Sequence, residues 1–387
     1  MRHIAGASGA PDGCYDADVV ILSLDRPEET EAAIRSALAQ VGVSRHVFIV
    51  DQGSQPQTLA RLAAVVAPHK DATLVVLGCN LGVAGGRNRG ADLGHGRIIA
   101  GLDNDAEFAE AWTLARAVAA LDCDPTVAAI GCRIVLHATG ADDLSSWGYP
   151  VSLLERSGET FDAVTFVGAG HAIRRAAWDA CGGYDEALFF CWEEFDFCLR
   201  AIAQGWRIRY RGDIAIRHKV SPEQRFAWSG TRWFYFVRNR LYIARKWGYS
   251  WPSLAPRIVG YLLKGARNAA LRQTLLALYA AVGLSARVEQ RHLSASALAY
   301  LRAADAAHRG SLLLRLQHEV LAILPRPPQR AFHLEVYREV PPKVECSPTP
   351  PGRSLESPLC FMSAWGHGSR SACRMRGIFS PSPCGRG

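Results

Sequence analysis

No stretch of this 387-residue chain approaches the ~18–20 consecutive apolar residues needed to cross a bilayer, so a membrane-spanning helix is not expected. The N-terminus, Met1-Arg2-His3-Ile4-Ala5-Gly6, lacks the apolar core of a signal peptide. The eleven cysteines contain no CxxC pair, and four of them fall in the last 42 residues. Without a secretion signal they read as reduced thiols, mostly small buried hydrophobes. From these absences a cytosolic chain is expected. Also missing are a basic region followed by heptads, zinc-finger spacing and an aromatic RNA-binding signature, so nucleic acid is not an expected partner. What is present is the balance of a globular protein, nearly half hydrophobic and about a fifth charged. The net charge is +8, with 44 Lys+Arg that become dense from Arg200 onwards. Phosphate-rich ligands or an anionic membrane surface would account for that excess.

From about Asp18 to Ala119 strands alternate with helices. Val19-Val20-Ile21-Leu22-Ser23-Leu24 is a short apolar run of the kind buried in a parallel sheet. Pro27-Glu28-Glu29-Thr30 opens a helix, with proline and acids in its first turn, that runs to about Ala39. Val47–Val50 is a second strand ending on Asp51, followed by a helix from Pro56 to Val66 and a third strand at Thr73–Leu77. A glycine-rich loop and helix lead to the strand Ile98–Leu102. This alternation predicts βαβ units and a mostly parallel sheet, whose ligands bind outside the carboxyl ends of the strands. Asp25, Asp51 and Asp103 each lie just past a strand end and should face one crevice. The middle, about 127 to 217, reads as strand and loop with a helix over Glu193–Gln204. From Phe226 to about Leu324 the chain turns helical. Leu262–Leu284, apolar with Lys264, Arg267 and Arg272 interspersed, fits either amphipathic packing, which is favoured, or a membrane-surface helix. Beyond Pro325 the composition shifts to Pro, Ser, Arg and Gly without periodicity, which predicts disorder.

Four pieces carry chemistry. Asp103-Asn104-Asp105 sets two carboxylates at a strand exit, oxygen ligands suited to Mg²⁺ or Mn²⁺ riding on substrate phosphates. The loop from Cys79 to Gly90 follows the third strand and lacks dinucleotide spacing, yet adds the polar handles Asn80, Arg87 and Asn88 to its glycines. Gly182-Gly183-Tyr184-Asp185-Glu186 precedes an aromatic-flanked acidic helix start, Trp192-Glu193-Glu194-Phe195-Asp196. Desolvation there can raise a carboxylate's pKa toward that of a working base, while Asp196 with Arg200 at i+4 reads as an ion pair. Finally, a short strand ends on His218, which alone reads as structural and together with the Asp pair becomes a candidate third metal ligand.

The order of these pieces resembles the family 2 glycosyltransferases, and within them the bacterial rhamnosyl- and galactofuranosyl-type members. The resemblance covers about Asp18 to Trp247. It rests on Leu24-Asp25-Arg26-Pro27-Glu28, Val50-Asp51-Gln52-Gly53-Ser54, Asn80 to Gly90, Leu102-Asp103-Asn104-Asp105, Gly183-Tyr184-Asp185-Glu186, Trp192-Glu193-Glu194-Phe195-Asp196, His218 and Arg238-Asn239-Arg240. It implies an α/β GT-A fold, a Rossmann-like, mostly parallel sheet flanked by helices. It also implies a nucleoside-diphosphate-sugar donor, with UDP or dTDP favoured, and Mn²⁺ or Mg²⁺. Asp25, Asp51, Asn80, Arg87, Asn88 and Asp103 would contact the donor, Asp103, Asp105 and His218 the metal. Glu194 occupies the base position for inverting transfer to a hydroxyl. The usual acid pair is Glu193-Glu194 here, so the base stays open among Glu194, Glu193 and Asp196. Asp25 and Gln52 each replace an asparagine of the pattern.

The expected organisation is a flexible N-terminus (1–17), a catalytic domain (18–225), a helical extension (226–325) and a disordered tail (326–387). The expected activity is transfer to a glycan or lipid-linked acceptor in cell-surface polysaccharide or glycolipid synthesis. Arg232, Arg238, Arg240, Arg245 and Lys246, interleaved with Trp233, Phe234, Tyr235 and Trp247, would suit a lipid-pyrophosphate acceptor or peripheral contact with the cytosolic face of a membrane. The rivals are a decayed sugar-nucleotide-binding protein and a nicotinamide-dependent oxidoreductase, the latter disfavoured by the position of the glycine loop.

Overall fold

The computed structural model describes residues 1–219 and 230–310. Strands β1 (Arg2–Gly6), β2 (Ala17–Ser23), β3 (Arg45–Asp51), β4 (Ala72–Val76) and β5 (Ile98–Leu102) alternate with helices α1 (Pro27–Leu38), α2 (Pro56–Val66) and α3 (Gly82–Ala91). There follow β6 (Ala106–Phe108), α4 (Thr113–Asp122), β7 (Val127–Leu136), β8 (Thr160–Ala163), β9 (Gly170–Arg174), α5 (Arg175–Cys181), α6 (Glu193–Ala203) and β10 (Arg207–His218). The chain continues as helices α7 (Gly230–Lys246), α8 (Trp251–Arg267), α9 (Leu271–Ser285) and α10 (Ala295–Ala304).

The strands form one mixed sheet in the order β1-β4-β3-β2-β5-β9-β7-β10-β6, with β8 also on β10. Its heart, β4-β3-β2-β5, is parallel. Side chains alternate along each strand, and both faces of β2 are covered: Val19 and Ile21 pack with α1, α2 and α4, whereas Val20 packs with α3, α5 and α6. The chain steps outward from β2 to β4, then returns through α3 to lay β5 on the other side of β2. That reversal opens a crevice at the carboxyl ends of β2 and β5.

The helical segment is not a separate body, because sheet and helices belong to one compact unit, Met1–Arg330. The flexible terminus expected for 1–17 is corrected. Arg2–Gly6 pairs antiparallel with β4, and Ala7 N donates to Ala72 O at 2.8 Å, because β4 would otherwise leave an open sheet edge. Several of the residues of 232–247 read as suiting a lipid-pyrophosphate acceptor or membrane surface are turned inward instead. Trp233 is fully buried, Arg238 bonds loop carbonyls, Arg240 lies over Trp192 and Phe195, and Lys246 sits among Asp185 and Asp196. The positive charges lie over aromatic faces or against carboxylates and carbonyls, contacts that favour a cation. The tail 326–387 lies outside the described residues.

Candidate active site

The exits of β2 and β3 are zipped together. Asp25 and Arg26 adopt φ of 55° and 56°, turning the chain back on itself. Asp25 N donates to Ser54 Oγ at 2.7 Å, Gln55 N donates to Asp25 Oδ1 at 2.9 Å, and Ser54 Oγ donates to Asp51 Oδ2 at 2.5 Å. Asp51 is fully buried and also accepts Gly53 N and Ser54 N at 3.1 and 3.0 Å. Both aspartates, expected to contact the donor, therefore have oxygens committed to shaping the lip of the crevice. Asn80 is exposed on that lip, its Oδ1 accepting Gly82 N at 2.8 Å, while Gln52 Oε1 accepts Leu81 N at 2.9 Å.

Two of the handles on α3 are internal braces. Asn88 bonds Tyr184 O and N, each at 2.9 Å, and Glu186 Oε1 at 3.0 Å, so it ties α3 to the Gly-Gly-Tyr-Asp-Glu loop. Arg87 is buried, with Nη1 donating to Val20 O at 2.5 Å and Nη2 to Asp103 Oδ1 at 2.8 Å. Their expected role as free donor contacts is corrected: the small residues of α3 let it press against β2, Arg87 ends inside the fold, and the half-buried Asn88 is taken up by the 184–186 loop.

Asp105 and His218, 113 positions apart, meet because β6 pairs antiparallel with the end of β10, register Ala106 to His218. His218 Nε2 lies 3.2 Å from Asp105 Oδ1, and its Nδ1 lies 3.1 Å from Asp143 Oδ2. Arg26 adds an ion pair to Asp105 at 2.9 Å. Burial opposes ionisation of both partners, but the mutual hydrogen bond and charge win. The imidazole is pushed well above its ordinary range, and the Asp105 carboxyl well below its own. Asp143 escaped the sequence reading. It sits in an unremarkable Asp-Asp pair after a hairpin, and only the parallel pairing of β7 with β10 carries that hairpin to the histidine.

The acids at the start of α6 divide by helical geometry. Asp196 is fully buried between Arg200 at 2.8 Å and Lys246 at 2.9 Å, an ion cluster joining α6 to α7. It is thereby removed from the candidates for a base. Glu193 is also buried, its Oε2 has no hydrogen-bond partner, and burial together with the neighbouring Glu194 charge pushes it well above the carboxylate range. Glu194 is partly buried and rests so close to Gly168 that a β-carbon there would collide with its Oε1. Its pKa is pushed up to about 7, first by burial and then by Asp103, against the pull of Arg87. Two adjacent carboxyls in different environments thus stay neutral and near-neutral-titrating, the separation that acid–base chemistry uses. Ahead of them, Phe189, Cys191 and Trp192 have φ of 61°, 69° and 73°. Each such non-glycine residue costs roughly 1–2 kcal/mol.

Among the described residues, no three His, Cys, Asp or Glu side chains converge into a metal cage. The donor chemistry nevertheless fits a phosphate-riding Mn²⁺ or Mg²⁺: one carboxylate and one imidazole in contact, the imidazole backed by a second carboxylate, and Asp103 two residues away.

Residues 18–181 match the family model described as "Glycosyl transferase family 2". The succinoglycan biosynthesis protein ExoO of Rhizobium meliloti is 38% identical over 96 residues, 25% of this chain and 27% of that protein. The pre-mycofactocin glycosyltransferase of Mycobacterium tuberculosis is 27% identical over 195 residues, 49% and 40% of the two chains. The O-antigen biosynthesis protein RfbC of Myxococcus xanthus is 25% identical over 233 residues, 55% and 18% of the two chains. The chain thus spans less than half the length of these curated relatives. Among solved structures, GalNAc-T7 with UDP, GalNAc and Mn²⁺ superposes with TM-score 0.53 at 16% identity, covering 65% of this chain and 52% of that one. The mannosyltransferase PcManGT of Pyrobaculum calidifontis, in complex with GDP-Man and Mn²⁺, superposes with TM-score 0.50 at 21% identity, covering 81% and 87%. These likenesses establish the fold as GT-A.

Proposed function

From the match of residues 18–181 to the glycosyl transferase family 2 model we propose that the chain is an inverting, metal-dependent glycosyltransferase. The observation that carries the reading is convergence: Glu194 from α6 rests against Gly168, whose carbonyl accepts Arg87 Nη2 at 3.5 Å, and Arg87 pairs with Asp103 at the β5 exit, two residues from Asp105 and its partner His218. A nucleoside-diphosphate sugar would lie in the crevice beside these groups; the solved neighbours GalNAc-T7 and PcManGT are in complex with UDP and GDP-Man respectively. UDP- and dTDP-linked sugars are the proposed donors. Asp103, Asp105 and His218 would hold Mn²⁺ or Mg²⁺ on the diphosphate. Such a metal, when bound, neutralises charge on the departing group.

The protein's own groups supply the rest. Glu194, ionised near neutral pH, takes the proton of an acceptor hydroxyl. The hydroxyl oxygen then bonds to the anomeric carbon as the bond from that carbon to the diphosphate oxygen breaks. Because base and leaving group approach from opposite sides of the sugar, the configuration inverts. Glu193, kept neutral, leaves Glu194 as the single titrating base, and Asp143 holds His218 so that its Nε2 points at the Asp105 side.

The acceptor is proposed to be lipid-linked or glycan material at the cytosolic face of a membrane, in surface polysaccharide or glycolipid synthesis. No described helix is long and apolar enough to cross a bilayer. The packing favoured for Leu262–Leu284 is incomplete. Leu263, Leu271, Leu275, Leu276 and Val282 are exposed on α8 and α9, and Tyr279 is 82% exposed. Residues 251 to 288 hold Arg257, Lys264, Arg267, Arg272 and Arg287 but no acid. An apolar face with only cations around it is complementary to an anionic bilayer surface.

The test is melting temperature of the purified chain with UDP, dTDP, GDP and NAD⁺, each with and without Mn²⁺, alongside Asp105→Ala. A Mn²⁺-dependent rise with one nucleoside diphosphate is expected in the wild type and lost in the variant. A rise kept by Asp105→Ala overturns the ligand assignment, and a rise only with NAD⁺ overturns the transferase reading.

A further inference from the structure

The segment Ala187–Trp192 is shared by the two sides of the crevice. Phe189 O accepts Val83 N at 2.7 Å and Ala84 N at 3.4 Å, capping α3, the helix that carries Arg87. Gly82 must be glycine for this approach, since a β-carbon there would collide with Phe189 O. Immediately downstream the same segment becomes Glu193 and Glu194. In between lie the three left-handed residues Phe189, Cys191 and Trp192. Side chains of these types hold such a conformation only when their surroundings over-determine it.

The surroundings come from α7. Asn239 is fully buried, and its Nδ2 donates to Leu188 O at 2.9 Å and to Phe190 O and Cys191 O at 2.8 Å, two hydrogens shared among three carbonyls. Arg238 Nε donates to Asn239 Oδ1 at 2.8 Å, which fixes which way the amide faces. The Arg238 Nη2 reaches Ala187 O and Leu188 O at 2.7 and 2.9 Å. Trp192 Nε1 closes the set on Phe236 O at 3.1 Å. An aspartate at 239 would keep the shape but set a negative charge against three carbonyl oxygens, and a leucine would offer no donor.

We propose that Asn239, oriented by Arg238, is a positioning residue that locks Ala187–Trp192 in its left-handed course and so sets Glu194 against the donor side of the crevice. This rests on Glu194 being the base. The lock acts through backbone carbonyls alone, so neither residue needs to touch substrate.

Asn239→Ala and Asn239→Asp, made in the full chain, test it by transfer kinetics, nucleoside diphosphate–Mn²⁺ titration and hydrogen exchange of the 186–196 segment. The expected result is a kcat about 10–100-fold lower, as for a displacement of about 1 Å, with nucleotide affinity within about 3-fold of wild type. Exchange should rise over 187–196 and stay unchanged in β2, β3 and β5. Adding Cys191→Gly to Asn239→Ala should restore part of the lost kcat, since glycine takes positive φ without a β-carbon penalty. A plain packing defect would not respond to that second change. Wild-type kcat with unchanged exchange overturns the lock, and so does a double variant no faster than the single one. Should Asn239→Ala fail to fold, Arg238→Lys, which removes the guanidinium bond to the amide oxygen and disturbs those to Ala187 O and Leu188 O while keeping the charge, carries the same comparison. A wild-type chain that transfers from no donor overturns the transferase reading, while the exchange comparison still decides the lock.

Discussion

Glu194→Gln separates the catalytic from the structural consequence of one carboxylate. Glutamine keeps the size and planar polar head but cannot ionise. In the folded chain the Glu194 pKa is pushed up to about 7, with burial against Gly168 the first cause and Asp103 the next, whereas in the unfolded chain the group titrates in the ordinary range near ~4.5. The sign follows from linkage: a folded pKa above the unfolded one gives stability that is complete below the unfolded value and is lost as pH rises through 7. Two and a half units correspond to about 3 kcal/mol, reduced to about 2 kcal/mol because the side chain is not wholly withdrawn from water. Glu194→Gln should therefore melt roughly 2–4 °C higher than wild type at pH 8, with the gain shrinking toward pH 5. Transfer should move the other way. Wild-type activity should rise with pH through about 7, and the variant should be at least ~100-fold slower at pH 8 with donor binding retained. Thermal melts across pH 5 to 8 and product formation on the same preparations measure both. A variant that transfers normally places the base elsewhere. One whose stability relative to wild type does not change with pH refutes the claim that the carboxylate is strained by burial.

Asp143→Asn keeps an acceptor for His218 Nδ1 but removes the charge behind it, so Mn²⁺ affinity in the presence of nucleoside diphosphate should fall about 10-fold. Unchanged affinity by titration would leave Asp143 a structural neighbour only. Leu275→Glu combined with Tyr279→Glu should abolish co-sedimentation with vesicles containing anionic lipid while leaving transfer to a soluble acceptor intact. Equal binding to neutral and anionic vesicles would argue that the cations of 251–288 play no part in docking.

The sequence was enough for the parallel core and the axis of the site. Runs such as Val19–Ser23 and Val47–Val50 are too apolar to face water on either side, and their spacing by helices of about eleven residues leaves little choice but βαβ units. Asp25, Asp51 and Asp103 were placed at strand exits by local pattern alone, and α2 and β5 fell where the pattern put them. Local pattern also carried the resemblance, because strand-end acids and a glycine-rich helix start are contiguous in the chain.

What each polar side chain does was decided only by tertiary pairing. Arg87 and Asn88 read as exposed handles, yet close packing of α3 on β2 turned them inward as braces. The three acids of α6 are near neighbours in sequence, but a helix turns 100° per residue. Asp196 thus meets Lys246 while Glu194 rests against Gly168. Arg2–Gly6 became a strand because β4 offered an unpaired edge, a fact no window of six residues contains. Asp143 reached His218 across 75 positions through a sheet register, and Asn239 reached the 188–191 carbonyls across about 50 through a helix packed on a loop. Periodicity and strand-end chemistry are short-range and legible in the chain; pairings that depend on which surface lands against which exist only once the whole core has closed.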